Sequence, residues 1–186
     1  ATRVNAMDLA AWQRLLGDCG EQGLASIHPE LGRIVSSELE HLATRWPTGL
    51  PKGVIHADLF PDNVLMRGED VAGLIDFYFR CGDLRAYDDA VTHAAWCFSG
   101  DGTRFEPDLS KALLEGYEAV RPLSHDERMA LPILARGAAM RFIATRAYDW
   151  LHTPQDALVT RKDPMAFARR LAFYADPANV GMFELI

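Results

Sequence analysis

Asp58, Asn63 and Asp76 are the residues of this 186-residue chain whose types and spacing could do chemistry. Two carboxylates and an amide are hard oxygen donors. Such donors suit Mg²⁺, which binds through one or two protein groups and completes its shell with substrate phosphates. A carboxylate left off the metal can take a proton from an attacking hydroxyl. Phosphoryl transfer asks for little beyond that positioning and charge neutralisation.

The elements around the three residues can bring them together. Val54 and Ile55 form an apolar approach to His56-Ala57-Asp58, and Asn63 opens a second apolar run, Val64-Leu65-Met66. Gly68-Glu69-Asp70 has turn chemistry, and a third run from Val71 to Ile75 ends on Asp76. This pattern predicts an antiparallel pair, residues 64 to 67 with 71 to 75, joined by a tight turn. Asn63 and Asp76 then share one end of the hairpin, and Asp58 sits on the loop that feeds it. The competing reading is three polar residues that merely bound a surface hairpin. His56 reads as a buried ring hydrogen-bonded within the loop, in preference to a base or metal ligand.

His56-x-Asp58-x-x-x-x-Asn63 followed by Asp76-Phe77 resembles the catalytic and metal-binding segments of the protein-kinase-like phosphotransferases. Pro61 between Asp58 and Asn63, and Tyr78 where many members carry glycine, resemble the small-molecule branch with its aminoglycoside, choline and homoserine kinases. VIHADLFPDNV (54 to 64), GLIDFYF (73 to 79) and AWCF (95 to 98) are most similar to the bacterial homoserine kinases of that branch. The similarity continues through LARGA (134 to 138), YDWL (148 to 151) and KDP (162 to 164).

The resemblance implies ATP and Mg²⁺ as cofactors, with Asp58 receiving or orienting the hydroxyl proton and Asn63 and Asp76 holding the metal. It also implies that Leu65 and Ile75 form the floor beneath adenine, and that Asp88 of the Tyr-Asp-Asp-Ala segment braces the catalytic loop. A helix cap is the alternative role for Asp88. Tyr78 and Phe79 either line a substrate pocket or pack under the loop. A small amino alcohol is the expected acceptor, homoserine first, with an aminoglycoside or choline as the alternative. Homoserine needs a cation for its carboxylate, and Arg136, Arg141 and Arg146 are the candidates, each otherwise a surface pair. A non-catalytic binding lobe and a metal-dependent hydrolase are the readings from other classes.

Composition narrows the class. Hydrophobic residues make up 49% of the chain, too many for a disordered tail. A net charge of −7 and a pI near 5.3 argue against nucleic-acid and anionic-membrane partners. Cys19, Cys81 and Cys97 show no C-x-x-C spacing and are expected to be free thiols of a cytoplasmic protein. The histidines show no zinc spacing.

Helical periodicity covers most of the rest: 8 to 17, Pro29 to before Pro47, 86 to 98, 109 to 120, and a long run to 151 opened by a Ser124-x-x-Glu127 capping box. A last helix spans 165 to 174. Cys19 to Ser26, Pro47 to Gly53, and Phe77 to Asp83 read as loop or linker. The order is helices over 8–46, catalytic loop and hairpin over 54–80, and a helical remainder over 84–186. The expected fold is therefore α+β and mostly helical, a single protein-kinase-like C-terminal lobe with a small catalytic hairpin. No Gly-rich phosphate loop or strand lysine precedes residue 54, so the missing N-terminal nucleotide lobe of the same enzyme is the expected partner.

Overall fold

The computed structural model describes residues 3–154, 157–158 and 160–183. These are mostly helical, with two small antiparallel sheets. Helix α1 (Leu9–Ile27) begins at Asp8, whose carboxylate accepts from the Ala11 N–H at 2.9 Å and satisfies one of the free first-turn amides. The expected loop from Cys19 to Ser26 is instead helical. Gly20 takes φ 66°, a left-handed value open to a residue without Cβ, and the helix resumes after this break to bury Leu24. Helix α2 (Leu31–Arg45) folds back on α1 and stops before Pro47.

Two sheets follow. Strand β1 (Lys52–Ile55) pairs with β4 (Cys81–Leu84), Lys52 opposite Leu84 and Ile55 opposite Cys81. Strands β2 (Val64–Arg67) and β3 (Asp70–Leu74) form the predicted hairpin, Val64 opposite Leu74. The stretch from Phe77 to Asp83, read as loop, contains a short 3₁₀ turn (Phe77–Phe79) and the start of β4. Lys52 and Gly53, read as linker, belong to β1. Strands β1 and β4 are too short to show a period, and each is held by a partner distant in sequence. The N-terminal segment adds a third line of backbone: Val4 bridges Gly82, and the Gly82 N–H donates to the Arg3 carbonyl at 2.7 Å.

Helices α3 (Arg85–Trp96), α4 (Pro107–Val120), α5 (His125–His152) and α6 (Met165–Ala175) complete the described structure. Helix α5 opens with the predicted capping box. Ser124 Oγ accepts from the Glu127 N–H at 3.2 Å and Glu127 Oε2 accepts from the Ser124 N–H at 3.0 Å. It packs against α1, α2, α3 and α6, so residues around much of its circumference are buried. His93 of α3 is fully enclosed, its ring nitrogens bonded to Tyr174 OH at 2.7 Å and Ser110 Oγ at 2.8 Å. Cys19, Cys81 and Cys97 are buried free thiols. No described helix is long and apolar enough to cross a membrane.

Gly137 of α5 lets the Trp46 and Trp12 rings approach the helix backbone. An added methyl would overlap ring carbons of Trp46. Gly137→Ala should therefore destabilise the protein by about 1–3 kcal/mol through overpacking, despite the higher helix propensity of alanine. Urea unfolding measures this, and an unchanged or raised midpoint would show that Trp46 moves aside freely.

Candidate active site

Strand β1 delivers the chain into a loop whose shape is imposed from three directions. Ala57 sits at φ 62°, a left-handed conformation that disfavours a side chain. The Asp88 carboxylate accepts from the His56 N–H at 3.0 Å and from the Ala57 N–H at 2.7 Å. On the other side of the same residue, Arg141 Nη1 donates to the Ala57 carbonyl. Trp96 Nε1 donates to the Leu59 carbonyl at 2.9 Å and ties the far part of the loop to α3. His56 is buried, its Nε2 within 3.0 Å of the Ile75 carbonyl and its Nδ1 within 3.3 Å of the Asp58 N–H. The Nε2–H tautomer satisfies both bonds, so the ring joins the loop to the end of the hairpin.

Asp88 makes no cap bond at the start of α3. Its carboxylate is committed to the loop, which excludes the helix-cap alternative. Asp88→Ala should leave the His56 and Ala57 amides without acceptors, at about 1–3 kcal/mol for each buried group. Thermal melting and ADP formation should fall together, and a variant with wild-type melting would remove Asp88 from this role.

Asp58, Asn63 and Asp76 all line one cavity of about 490 Å³. The Ile75 N–H donates to the Asn63 carbonyl at 3.0 Å, extending the hairpin ladder by one residue and setting Asn63 beside the residue before Asp76. Asp76 takes φ 58° and caps the 3₁₀ turn, accepting from the Tyr78 N–H at 3.4 Å. Asn63 Nδ2 donates to the Asp58 carbonyl at 2.8 Å. That fixes the amide and leaves its oxygen without a partner among the described residues. Asp58 is 18% exposed at its side chain, and Arg141 Nη2 lies 3.5 Å from its Oδ1. Burial raises the Asp58 carboxyl above the ordinary carboxylate range; Arg141 pulls it down and Asp76 adds to the rise.

The donors fit a hard divalent ion. Among the described residues no three His, Cys, Asp or Glu side chains form a metal cage. Mg²⁺ needs none, since one carboxylate and one amide oxygen suffice where phosphates supply the remaining ligands.

The three candidate arginines part company. Arg136 makes a two-pronged pair with Glu38, at 2.8 and 2.6 Å, and braces α5 on α2. Arg141, expected to grip a substrate carboxylate, is 2% exposed and committed to Ala57 and Asp58. Its guanidinium lies over the rings of Phe79, at 4.8 Å, and Phe142, at 4.6 Å. It positions the loop. Arg146 also lines the cavity, with one hydrogen bond from Nη1 to the Asp163 carbonyl at 3.3 Å.

Tyr78 is 68% exposed, lies beneath Arg3 and is not among the residues lining the cavity; Phe79 is the aromatic wall. Leu65 and Ile75 are 48% and 42% exposed. Strand alternation and the Asn63–Ile75 pairing put both on one face of the hairpin. The sequence reading missed Asp149 and Lys162, which line the cavity. Their signal was present, since they lie in the YDWL and KDP segments.

A family model described as "Phosphotransferase enzyme family" matches residues 3–123. The chain is 52% identical, over 97% of its length, to a homoserine kinase of Gluconobacter oxydans (strain 621H), covering 57% of that protein. It is 53% identical over 93% of its length to a homoserine kinase of Acidiphilium cryptum (strain JF-5), covering 54% of it. A homoserine kinase of Agrobacterium fabrum (strain C58 / ATCC 33970) is 49% identical over 98% of the chain, which covers 56% of it. The chain thus spans little more than half the length of the curated relatives it matches.

Proposed function

The chain belongs to the phosphotransferase enzyme family, and from that premise we propose that it is the kinase-like C-terminal lobe of an ATP-dependent kinase. Its acceptor is the hydroxyl of a small amino alcohol, L-homoserine before any other, and its product is O-phosphohomoserine. The observation that carries this reading is the convergence of Asp58, Asn63 and Asp76 on one cavity, with the Asp58 loop held by Arg141 and Asp88. The names of the relatives support homoserine among amino alcohols.

In this reading the acceptor oxygen attacks the γ-phosphorus of ATP, the bond to the β–γ bridging oxygen breaks, and ADP leaves. Asp58 receives the hydroxyl proton, and its raised pKa makes it a better base than an exposed aspartate. Asn63 and Asp76 would hold Mg²⁺, which when bound neutralises charge on the transferring phosphates. Arg141 keeps Asp58 oriented toward the cavity. The exposed Leu65 and Ile75 would form part of the floor beneath adenine, the role their apolar face suits.

The test is ADP formation by the protein expressed from its complete reading frame, with Mg²⁺-ATP and homoserine, choline, an aminoglycoside or no acceptor. Homoserine-dependent ADP formation that requires Asp58 supports the proposal. Turnover of choline or the aminoglycoside with homoserine silent would move the acceptor. Silence with every acceptor would favour a binding lobe.

A further inference from the structure

The strip of α5 that holds Asp58 continues beyond it. Arg141, Thr145 and Asp149 follow at four-residue spacing with Arg146 beside them, and all four line the cavity that contains Asp58. Residues three and four apart share a helix face. The strip runs about 12 Å along the helix axis at 1.5 Å per residue. Side chains on a helix tilt toward its N-terminus, so Asp149 leans back over the turn that carries Thr145 and Arg146.

The charges along this strip are not alike. Arg141 is already paired. Arg146 presents five N–H donors in a partly desolvated place. Its only protein bond among the described residues is the long one to the Asp163 carbonyl, with its guanidinium 4.5 Å over the Phe167 ring. Burial, with Arg170 nearby, pushes Arg146 down to about 10 against the pull of Asp163, Asp58 and Asp62. The Asp149 side chain is solvent-exposed at the cavity edge and has no hydrogen bond or ion pair among the described residues; the little burial it has raises its pKa against the pull of His152. Neighbouring cations are engaged elsewhere: Lys162 pairs with Asp62 at 3.6 Å, and Arg161 donates to the Thr153 carbonyl.

A cation with no anionic partner and an anion with no cationic partner among the described residues, on one helix face beside a candidate base, complement one kind of acceptor. An α-amino acid carries a carboxylate and an ammonium on a single carbon. We propose that Arg146 binds the α-carboxylate and Asp149 the α-ammonium of the acceptor while its side-chain hydroxyl reaches Asp58. The pair then selects a zwitterionic amino alcohol over a purely cationic one, since a cationic acceptor leaves Arg146 unpaired and faces its positive charge. This rests on the kinase reading above and assigns Asp149 a role in specificity.

The experiment uses the complete reading frame and three acceptors: L-homoserine, 3-aminopropan-1-ol, which lacks the carboxylate, and 4-hydroxybutanoate, which lacks the ammonium. Competitive inhibition against homoserine replaces turnover where an analogue does not react. Arg146→Met should shrink the preference for homoserine over 3-aminopropan-1-ol by about 100-fold, the loss expected for a desolvated charged hydrogen-bond pair. It should leave the ratio of homoserine to 4-hydroxybutanoate within a few-fold, because both acceptors lose the same contact. Asp149→Asn should produce the reverse pattern. A ratio measured within one preparation does not depend on the fraction of protein that folds. Homoserine turnover with both ratios unmoved, or moved together, would overturn this inference alone. Failure of the wild type to use homoserine would overturn the acceptor reading and this inference with it.

Discussion

Asp58→Asn lowers turnover with the preferred acceptor by about 10²–10⁴-fold, the range for losing a positioned base, while the nucleotide KM stays close to that of the wild type. The reason lies in how the loop is held. The Asp58 backbone is fixed by its N–H to His56 and its carbonyl to Asn63, and neither bond uses the carboxylate. Asparagine therefore keeps both backbone bonds, and removes the proton acceptor together with the negative charge that faces Arg141. Burial places the Asp58 carboxyl above the usual range. The wild-type kcat should thus fall on the acid side at a pH higher than an exposed aspartate would give, and that limb should vanish in Asp58→Asn. Steady-state kinetics across pH measure both effects. A variant that retains full activity, or that loses activity through the nucleotide KM alone, would show that Asp58 is not the base.

Arg141→Met should be the most damaging change outside the three oxygen-bearing residues. Methionine replaces much of the buried stem and leaves the Asp58 carboxylate unpaired and the Ala57 carbonyl without its guanidinium donor. Breaking a buried charge pair by removing one partner costs about 3–5 kcal/mol. Urea unfolding should show a loss of that size. The pH profile separates a positioning role from simple destabilisation. Arg141 lowers the Asp58 pKa against the upward push of burial, so its removal lets the pKa climb further. The acid limb of kcat then moves to higher pH in whatever fraction folds. Arg141→Lys should recover part of the shift, since the charge remains while the fork to Ala57 and Asp58 is lost. A variant of lower stability with an unmoved limb would reduce Arg141 to a packing residue.

Much of the candidate site was legible because it is local. Hairpin, turn and flanking polar residues are contiguous, so an apolar run, a Gly-containing turn and a second apolar run suffice to set Asn63 and Asp76 at one end. His56 was legible for the same reason, since its ring bonds Asp58 two residues on and the end of the hairpin. The capping box at Ser124 and Glu127 uses only its own first turn. Strands β1 and β4 were not legible, because four residues show no period and their pairing joins segments far apart in sequence. The helix across Gly20 was hidden by a glycine that reads as a terminator but here only breaks the helix.

The sequence by itself determined that two carboxylates and an amide, Asp58, Asp76 and Asn63, meet at one rim, because their spacing is enforced by short-range backbone geometry. Tertiary structure alone decided the roles of the charges on α5. Arg136, Arg141 and Arg146 look alike on a helix packed on several sides, and their partners come from α2, the loop after β1 and the segment before α6. A guanidinium becomes a brace, a positioning group or a free donor according to what lies opposite it. For these residues what lies opposite is distant in sequence, and no local rule fixes it. The same holds for Asp88, which stands in the first turn of α3 and is made a loop clamp by two amides that β1 carries to it.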